Sequence, residues 1–204
     1  MNLKYVFSLI GGLSAVQRYS QTKLATPENV LEHTGFVAML AYFIGLELKK
    51  NGHEVDFSYL LQKAIAHDID EVITGDIPSP TKNGHEKVKE ALYEVEYKNM
   101  GFISNELFGD NYLLNIWDDA KDGPEGSIIA LCDLLSVIYK VYDEVILRGN
   151  LTIAGHANSL IETLNKKMRL IRKHYPLNEF TDGFDSIYSN ARIMIDEIIE
   201  RGKV

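Results

Sequence analysis

The sequence predicts an all-α helical bundle folded as a single domain. Apolar residues recur at steps of three and four in several segments, which is the helical period. No stretch shows the alternation of a half-buried strand. Glycine, proline and Asn-Gly punctuation falls between the periodic segments, where turns belong. Hydrophobic residues make up 46% of the 204, enough for a sizeable core. No internal repeat, low-complexity tract or linker divides the chain, so residues 1–204 read as one domain.

The elements follow in order. Residues 3–16 form a short apolar helix broken by a turn at Gly11-Gly12. A polar stretch carrying Arg18, Tyr19 and Lys23 comes next. Thr26-Pro27-Glu28 has the signature of a helix start, with an N-cap, Pro at N1 and an acid in the first turn. That helix is expected to reach about Lys50 and to stop at Asn51-Gly52. Asp56 caps a helix running to Thr74-Gly75. Residues 75–84 are a loop whose prolines block helix. A charged amphipathic helix covers 85–99, supported by Glu94 and Lys98 at i,i+4. A short helix covers 111–119, and Pro124 restarts the most apolar helix, which extends to Leu147. Two further helices, 152–173 and 184–201, are separated by Tyr175-Pro176. They pack on a motif-bearing core of about 3–145.

Net charge is −8 and the pI is about 5.3. Such a balance argues against a partner as basic-face-demanding as a nucleic-acid polymer or a membrane surface. A small phosphorylated ligand needs only a local cluster of cations. The single cysteine, Cys132, excludes an internal disulfide and fits a reducing cytosol; its apolar surroundings make it a core residue. No signal peptide is visible and no apolar run is expected to reach transmembrane length. The expected location is cytoplasmic.

The chemistry concentrates at residues 64–71, a charged knot inside an apolar segment. Read as helix, Leu61, Ala64, Ile65, Asp68 and Val72 share one face, which points Asp68 at the core. His67 and Glu71 lie four apart on a neighbouring face. A core-facing carboxylate is costly unless paired or bound to a cation. The plain alternative is an Asp at a frayed helix end beside a solvated His. In the run 128–142 only Asp133, Ser136 and Lys140 interrupt apolar residues, and Asp133 shares a face with Ile129, Ala130 and Val137. Two inward aspartates repel; a divalent cation between them resolves the conflict. His33, on a face with Val30, Phe36 and Val37, would alone be an ordinary core histidine. Together, His33, His67, Asp68 and Asp133 make one mononuclear site with open positions. A closed structural zinc site would be rich in cysteine. His53, His85, His156 and His174 read as surface residues.

The series His33, His67-Asp68, Asp133 resembles the H…HD…D pattern of HD-domain metal phosphohydrolases. The flanks narrow the resemblance. Arg18-Tyr19, Glu28-Asn29-Val30-Leu31-Glu32-His33 and the run from His67-Asp68-Ile69-Asp70-Glu71 through Thr74-Gly75-Asp76-Ile77-Pro78-Ser79-Pro80-Thr81-Lys82 are similar to the YfbR-like 5′-deoxynucleotidases. The resemblance implies a helical, usually dimeric enzyme that hydrolyses deoxynucleoside 5′-monophosphates with one divalent ion. Cobalt, manganese, magnesium, zinc and iron all remain open. It also implies roles: Glu71 as the catalytic acid beside the water or the leaving 5′-oxygen, Asp76 as a second acid near the sugar 3′-hydroxyl or the water, and Arg18 on the phosphate. Lys82 and Thr81 are further phosphate candidates, Thr74 a weaker one.

Two departures stand out. Tyr19 replaces the usual Trp that packs near the sugar, which loosens deoxy-versus-ribo selectivity. Asp118 stands at about the right distance before Asp133 to replace the family's acid there, without its His partner. Two other functions compete. A dNTP triphosphohydrolase would use the same centre, but the few cations near the motifs (Arg18, Lys23, Lys82 and Lys87) favour a monophosphate. A non-catalytic nucleotide-sensing helical protein would need no Glu71.

Overall fold

The computed structural model describes residues 2–176 and 182–203. Helices α1 (Leu3–Ala15), α2 (Val30–Lys50), α3 (Phe57–Ala66), α4 (Glu71–Thr74), α5 (Ser79–Asn83), α6 (Glu86–Phe108), α7 (Tyr112–Asp118) and α8 (Gly123–Tyr142) follow one another. Helix α8 runs into a π-helical turn, Asp143–Leu147, and a 3-10 stretch, Leu151–His156, leads to α9 (Ala157–His174). Helix α10 (Asp182–Arg201) closes the bundle. No β-strand occurs among the described residues; one antiparallel bridge joins Gln17 and Asn29. The break at Tyr175-Pro176 is present, and residues 177–181 lie outside the described set.

Several boundaries differ from the sequence expectation, each for a local reason. Helix α1 runs unbroken through Gly11-Gly12. A Cβ at Gly12 would overlap Val72 Cγ2, so this glycine serves close approach of α1 to α4 rather than a turn. Helix α2 begins at Val30, not after Thr26. Asn29 and Glu32 form a reciprocal capping box, each side chain accepting from the other's backbone N–H, which satisfies two orphan donors. The Thr26 backbone is used elsewhere, as described below. Helix α5 forms inside the expected loop, with Pro80 in its first turn, where no backbone donor is needed. Helix α6 continues past residue 99 because Met100, Ile103 and Leu107 extend its buried face; Gly109, at φ +75°, ends it.

The charged knot also differs. Asp56 caps α3 as expected, accepting from Tyr59 N–H at 3.0 Å. The helix then stops at Ala66. His67 to Asp70 form a tighter turn with i→i+3 bonds, Ile69 N–H to Ala66 O at 3.1 Å and Glu71 N–H to Asp68 O at 3.2 Å. The inward face of α3 is Leu60, Lys63 and Ala64, while Ile65 is exposed. The expected stripe was out of phase: Lys63, which lay outside it, is buried, and Ile65, which lay in it, is exposed.

Two hydrophobic clusters fill the bundle. One joins α2, α3, α8, α9 and α10 through residues such as Val37, Ile44, Leu60, Ile129, Leu164 and Ile195. The other joins α6 and α7 with Ala66 and Ile69, against Tyr5, Val6 and Leu9 of α1. The His67-Asp68 turn therefore sits on the seam between them. Helix α2 is, contrary to expectation, long and apolar enough to cross a membrane. One edge of it is core; the other exposes Met39, Phe43 and Leu46.

A buried ion pair fixes the 17–29 loop. Lys140 Nζ lies 2.9 Å from Glu144 Oε1. Glu144 also accepts from the backbone N–H groups of Ala25 and Thr26, at 2.6 and 2.9 Å, and from Asn150 Nδ2 at 2.7 Å. Lys140 donates to Thr26 O. These five residues satisfy one another, as a buried pair requires.

Candidate active site

The loop from 17 to 29 is pinched at its base. Arg18 N–H donates to Glu28 O at 2.8 Å and Val30 N–H to Val16 O at 3.0 Å. That closure brings Arg18 to the first turn of α2, next to His33. The guanidinium lies 3.1 Å from Glu28 Oε1 and 3.7 Å from Asp68 Oδ2. Tyr19 follows with φ +55°, the single non-glycine residue at positive φ among the described residues. An aromatic residue there costs roughly 1–2 kcal/mol. Its N–H donates to Asp76 Oδ2 at 2.9 Å, which links this loop to the one after α4. The buried Tyr19 hydroxyl has no hydrogen-bond partner.

Three donor atoms converge, and a fourth, on Asp133, meets one of them. His33 Nε2 lies 3.3 Å from Asp68 Oδ2 and 3.3 Å from Asp133 Oδ1. His67 Nε2 lies 3.0 Å from Asp68 Oδ2 and 3.3 Å from His33 Nε2. The donor atoms of His33, His67 and Asp68 all fall within 4.8 Å of one another.

The outer hydrogen bonds decide what this set can hold. His67 Nδ1 is 2.7 Å from Ala64 O, an acceptor only, so Nδ1 carries a proton and Nε2 is the nitrogen turned toward Asp68. His33 Nδ1 is 3.1 Å from Ser136 Oγ, whose own hydrogen goes to Asp133 O. Ser136 therefore accepts from Nδ1–H, which turns His33 Nε2 toward Asp68 and Asp133. The two Nε2 atoms and Asp68 Oδ2, with Asp133 Oδ1 beside His33, form a cation-binding set, and the partners of each Nδ1 fix the rings. The residues fit a divalent metal ion.

Charges around the set are uneven. Burial opposes ionisation of Asp68, but His67 and Lys121 outweigh it and hold that carboxyl well below the usual range. Burial likewise opposes ionisation of Asp133, which Lys121 and the His33 hydrogen bond keep well below it. Glu71, the first residue of α4, behaves oppositely. Burial, then the charges of Asp68 and Asp76, push it up to about 9. Its Oε2 is buried without a hydrogen-bond partner.

A cleft of about 520 Å³ opens from His67, Asp68 and Glu71 toward Tyr93, Trp117 and Asp118. Trp117 stacks on Tyr93 at 6.2 Å and donates from Nε1 to Asp70 Oδ1 at 2.7 Å. Asp118 accepts from Tyr93 Oη. Lys82 lines the cleft, with Nζ 2.8 Å from Glu96 Oε1. Thr81 is exposed on α5 and is not a lining residue of the cleft. Sequence reasoning gave no role to Glu28, Ser136, Asp70 or Lys121. Glu28 and Asp70 stood inside the motifs and Ser136 in the apolar run of α8; Lys121 carried no signal of its own.

Comparison with known proteins agrees with this geometry. Residues 5–184 match the family model described as 5′-deoxynucleotidase YfbR-like. A 5′-deoxynucleotidase of Vibrio parahaemolyticus is 25% identical over 91% of this chain and 96% of its own. An HD-domain phosphohydrolase of Listeria innocua superposes with a TM-score of 0.70 at 27% identity, over 86% of this chain and 83% of that one. The HD phosphohydrolase of cyanophage S-2L, solved with dA and one catalytic Zn2+ ion, shares the fold at a TM-score of 0.53 and 16% identity, over 95% and 96% of the two chains. With the family model matching residues 5–184, most of its length, the chain belongs to the YfbR-like 5′-deoxynucleotidase family.

Proposed function

We propose that this protein is a metal-dependent 5′-deoxynucleotidase, converting deoxynucleoside 5′-monophosphates to deoxynucleoside and inorganic phosphate. The observation carrying this reading is the meeting of His33 Nε2, His67 Nε2 and Asp68 Oδ2, with Asp133 Oδ1 3.3 Å from His33 Nε2, beside a carboxyl, Glu71, that burial favours in its protonated form. A divalent ion at that point supplies Lewis-acid polarisation of a phosphoryl oxygen and a water acidified toward neutral pH.

The remaining steps belong to side chains. Arg18 orients the phosphoryl group with its planar fork. The water oxygen bonds to phosphorus as the bond to the 5′-oxygen breaks. Glu71 gives its proton to that leaving oxygen and regains one from the attacking water. Asp76, fixed by the Tyr19 N–H, and the Tyr19 ring take the sugar. Lys82 and Asp118 face the cleft beyond, and Thr81 contributes at most from its rim.

The triphosphohydrolase reading is disfavoured by charge. Glu86, Glu90 and Asp118 line the outer cleft, and its lysines Lys82 and Lys89 are already paired with Glu96 and Glu86. Extra phosphates would meet acids there. Metal-supplemented protein should release inorganic phosphate from dAMP and little from dATP. Triphosphate released from dATP would favour the alternative, and turnover of neither would favour a sensor.

The assembly we propose is a cytoplasmic homodimer. Its support is the exposed apolar face of α2, with Met39, Tyr42, Phe43 and Leu46, extended by Tyr139 stacked on Phe36 at 5.2 Å. Patches of this kind mark interaction sites. Sedimentation equilibrium should give twice the chain mass; a single-chain mass at micromolar concentration contradicts it.

A further inference from the structure

We propose that Lys121 is a second phosphate-contacting cation, released for that task by occupation of the metal site; the assignment rests on the phosphohydrolase reading above. Lys121 lines the cleft beside Glu71, His67 and Asp68. Its Nζ donates to Asp133 Oδ2 at 2.8 Å, and its side chain is 45% exposed, so the remaining donors of the ammonium are open to the cleft.

Arg18 is divided between Glu28 and Asp68. The other lysines lining the cleft are spoken for by acids outside the donor set: Glu96 holds Lys82, and Glu86 lies 3.7 Å from Lys89. Lys121 differs, because its partner is itself a proposed metal ligand through the opposite oxygen, Oδ1. A divalent ion shared by Asp133 and Asp68 offsets the two carboxylate charges. The Lys121 charge is then uncompensated at the mouth of the cleft, where a phosphate dianion arrives. Coulombic attraction at contact distance in such a partly desolvated place is substantial.

The backbone that carries Lys121 is held on both sides. Buried Lys63 reaches from α3 to Asp119 Oδ2 at 2.8 Å and Asp122 O at 2.6 Å. Gly126 leaves room on the other side, since a Cβ there would stand 2.5 Å from the Lys121 carbonyl carbon. A solvated surface lysine has no need of such a clamp.

The test is titration of inorganic phosphate into Mn2+-loaded wild type, Lys121→Met, Lys121→Arg and Lys89→Met proteins, with bound manganese measured in each. Lys121→Met should keep its manganese and bind phosphate at least about tenfold more weakly, in line with loss of a charge-assisted hydrogen bond. Lys121→Arg should recover most of the affinity, and Lys89→Met should match wild type. Unchanged phosphate affinity in Lys121→Met overturns the proposal. So does loss of manganese, which would make Lys121 a support of Asp133 only. A parallel titration of dAMP into the Glu71→Gln protein separates the two readings. If dAMP binds no tighter than phosphate while the Lys121→Met loss persists, the nucleotide reading falls and the phosphate contact stands.

Discussion

Glu71 and Asp68 sit three residues apart, yet the same cavity pushes their carboxyls in opposite directions. Asp68 faces two imidazoles and the field of Lys121; Glu71 faces Asp68 and Asp76 with a bare Oε2. Separated affinities of this sort sort ligands from proton carriers. Glu71→Gln should therefore retain bound metal and lose turnover by about 10²–10⁴-fold, the range for a removed general acid or base. Asp68→Ala should lose both. Elemental analysis finding no metal in purified Glu71→Gln protein would count against the division of roles.

Polar residues interrupting the apolar run of α8 turn out to have separate tasks. Asp133 points to the donor set, Ser136 holds the His33 ring, and Lys140 anchors the loop that presents Arg18. The last of these makes a pH prediction. Its backbone, Asn150 and Lys140 partners overcome burial and hold Glu144 at about 2, below the ordinary range of about 4.3 for a free Glu. A depressed folded-state pKa adds stability above the unfolded value, and that stability is lost as pH falls through the folded one. Chemical-denaturation stability of the wild type should decline between about pH 5 and 2. Glu144→Gln should flatten part of that slope and cost roughly 3–5 kcal/mol at neutral pH by stranding Lys140. An unaltered slope would contradict this account of the pair.

How far the sequence was legible also divides by element. Asp56, Pro124 and the Asn51-Gly52 stop were readable because capping and breaking are local chemistry. The start of α2 was misplaced because two adequate caps competed, and the distant Glu144 claimed the Thr26 backbone. The phase of α3 was misread because a buried Lys63 breaks the rule that charge faces water. His33, Asp68 and Asp133 stood out because each is a polar residue on an otherwise apolar face, and the structure brings these side chains together. Lys121 did not, because its contact with Asp133 arises only from the fold.

At the scale of the molecule, the donor set draws on parts that do not share a core. His33 and Asp133 ride on helices of the larger hydrophobic cluster, whereas the turn carrying Asp68 leads into the smaller one through Ile69. An ion gripping both acts as a rivet, adding stability by mass action of about 2.7 kcal/mol at a hundredfold excess over its dissociation constant. Regions that open separately do so along boundaries of this kind. Treatment with a chelator should therefore speed deuterium uptake at the amides of α1, α4, α6 and α7 more than at those of α8 and α9. Equal acceleration everywhere would mean the two halves breathe as one, and that the join is welded by packing alone.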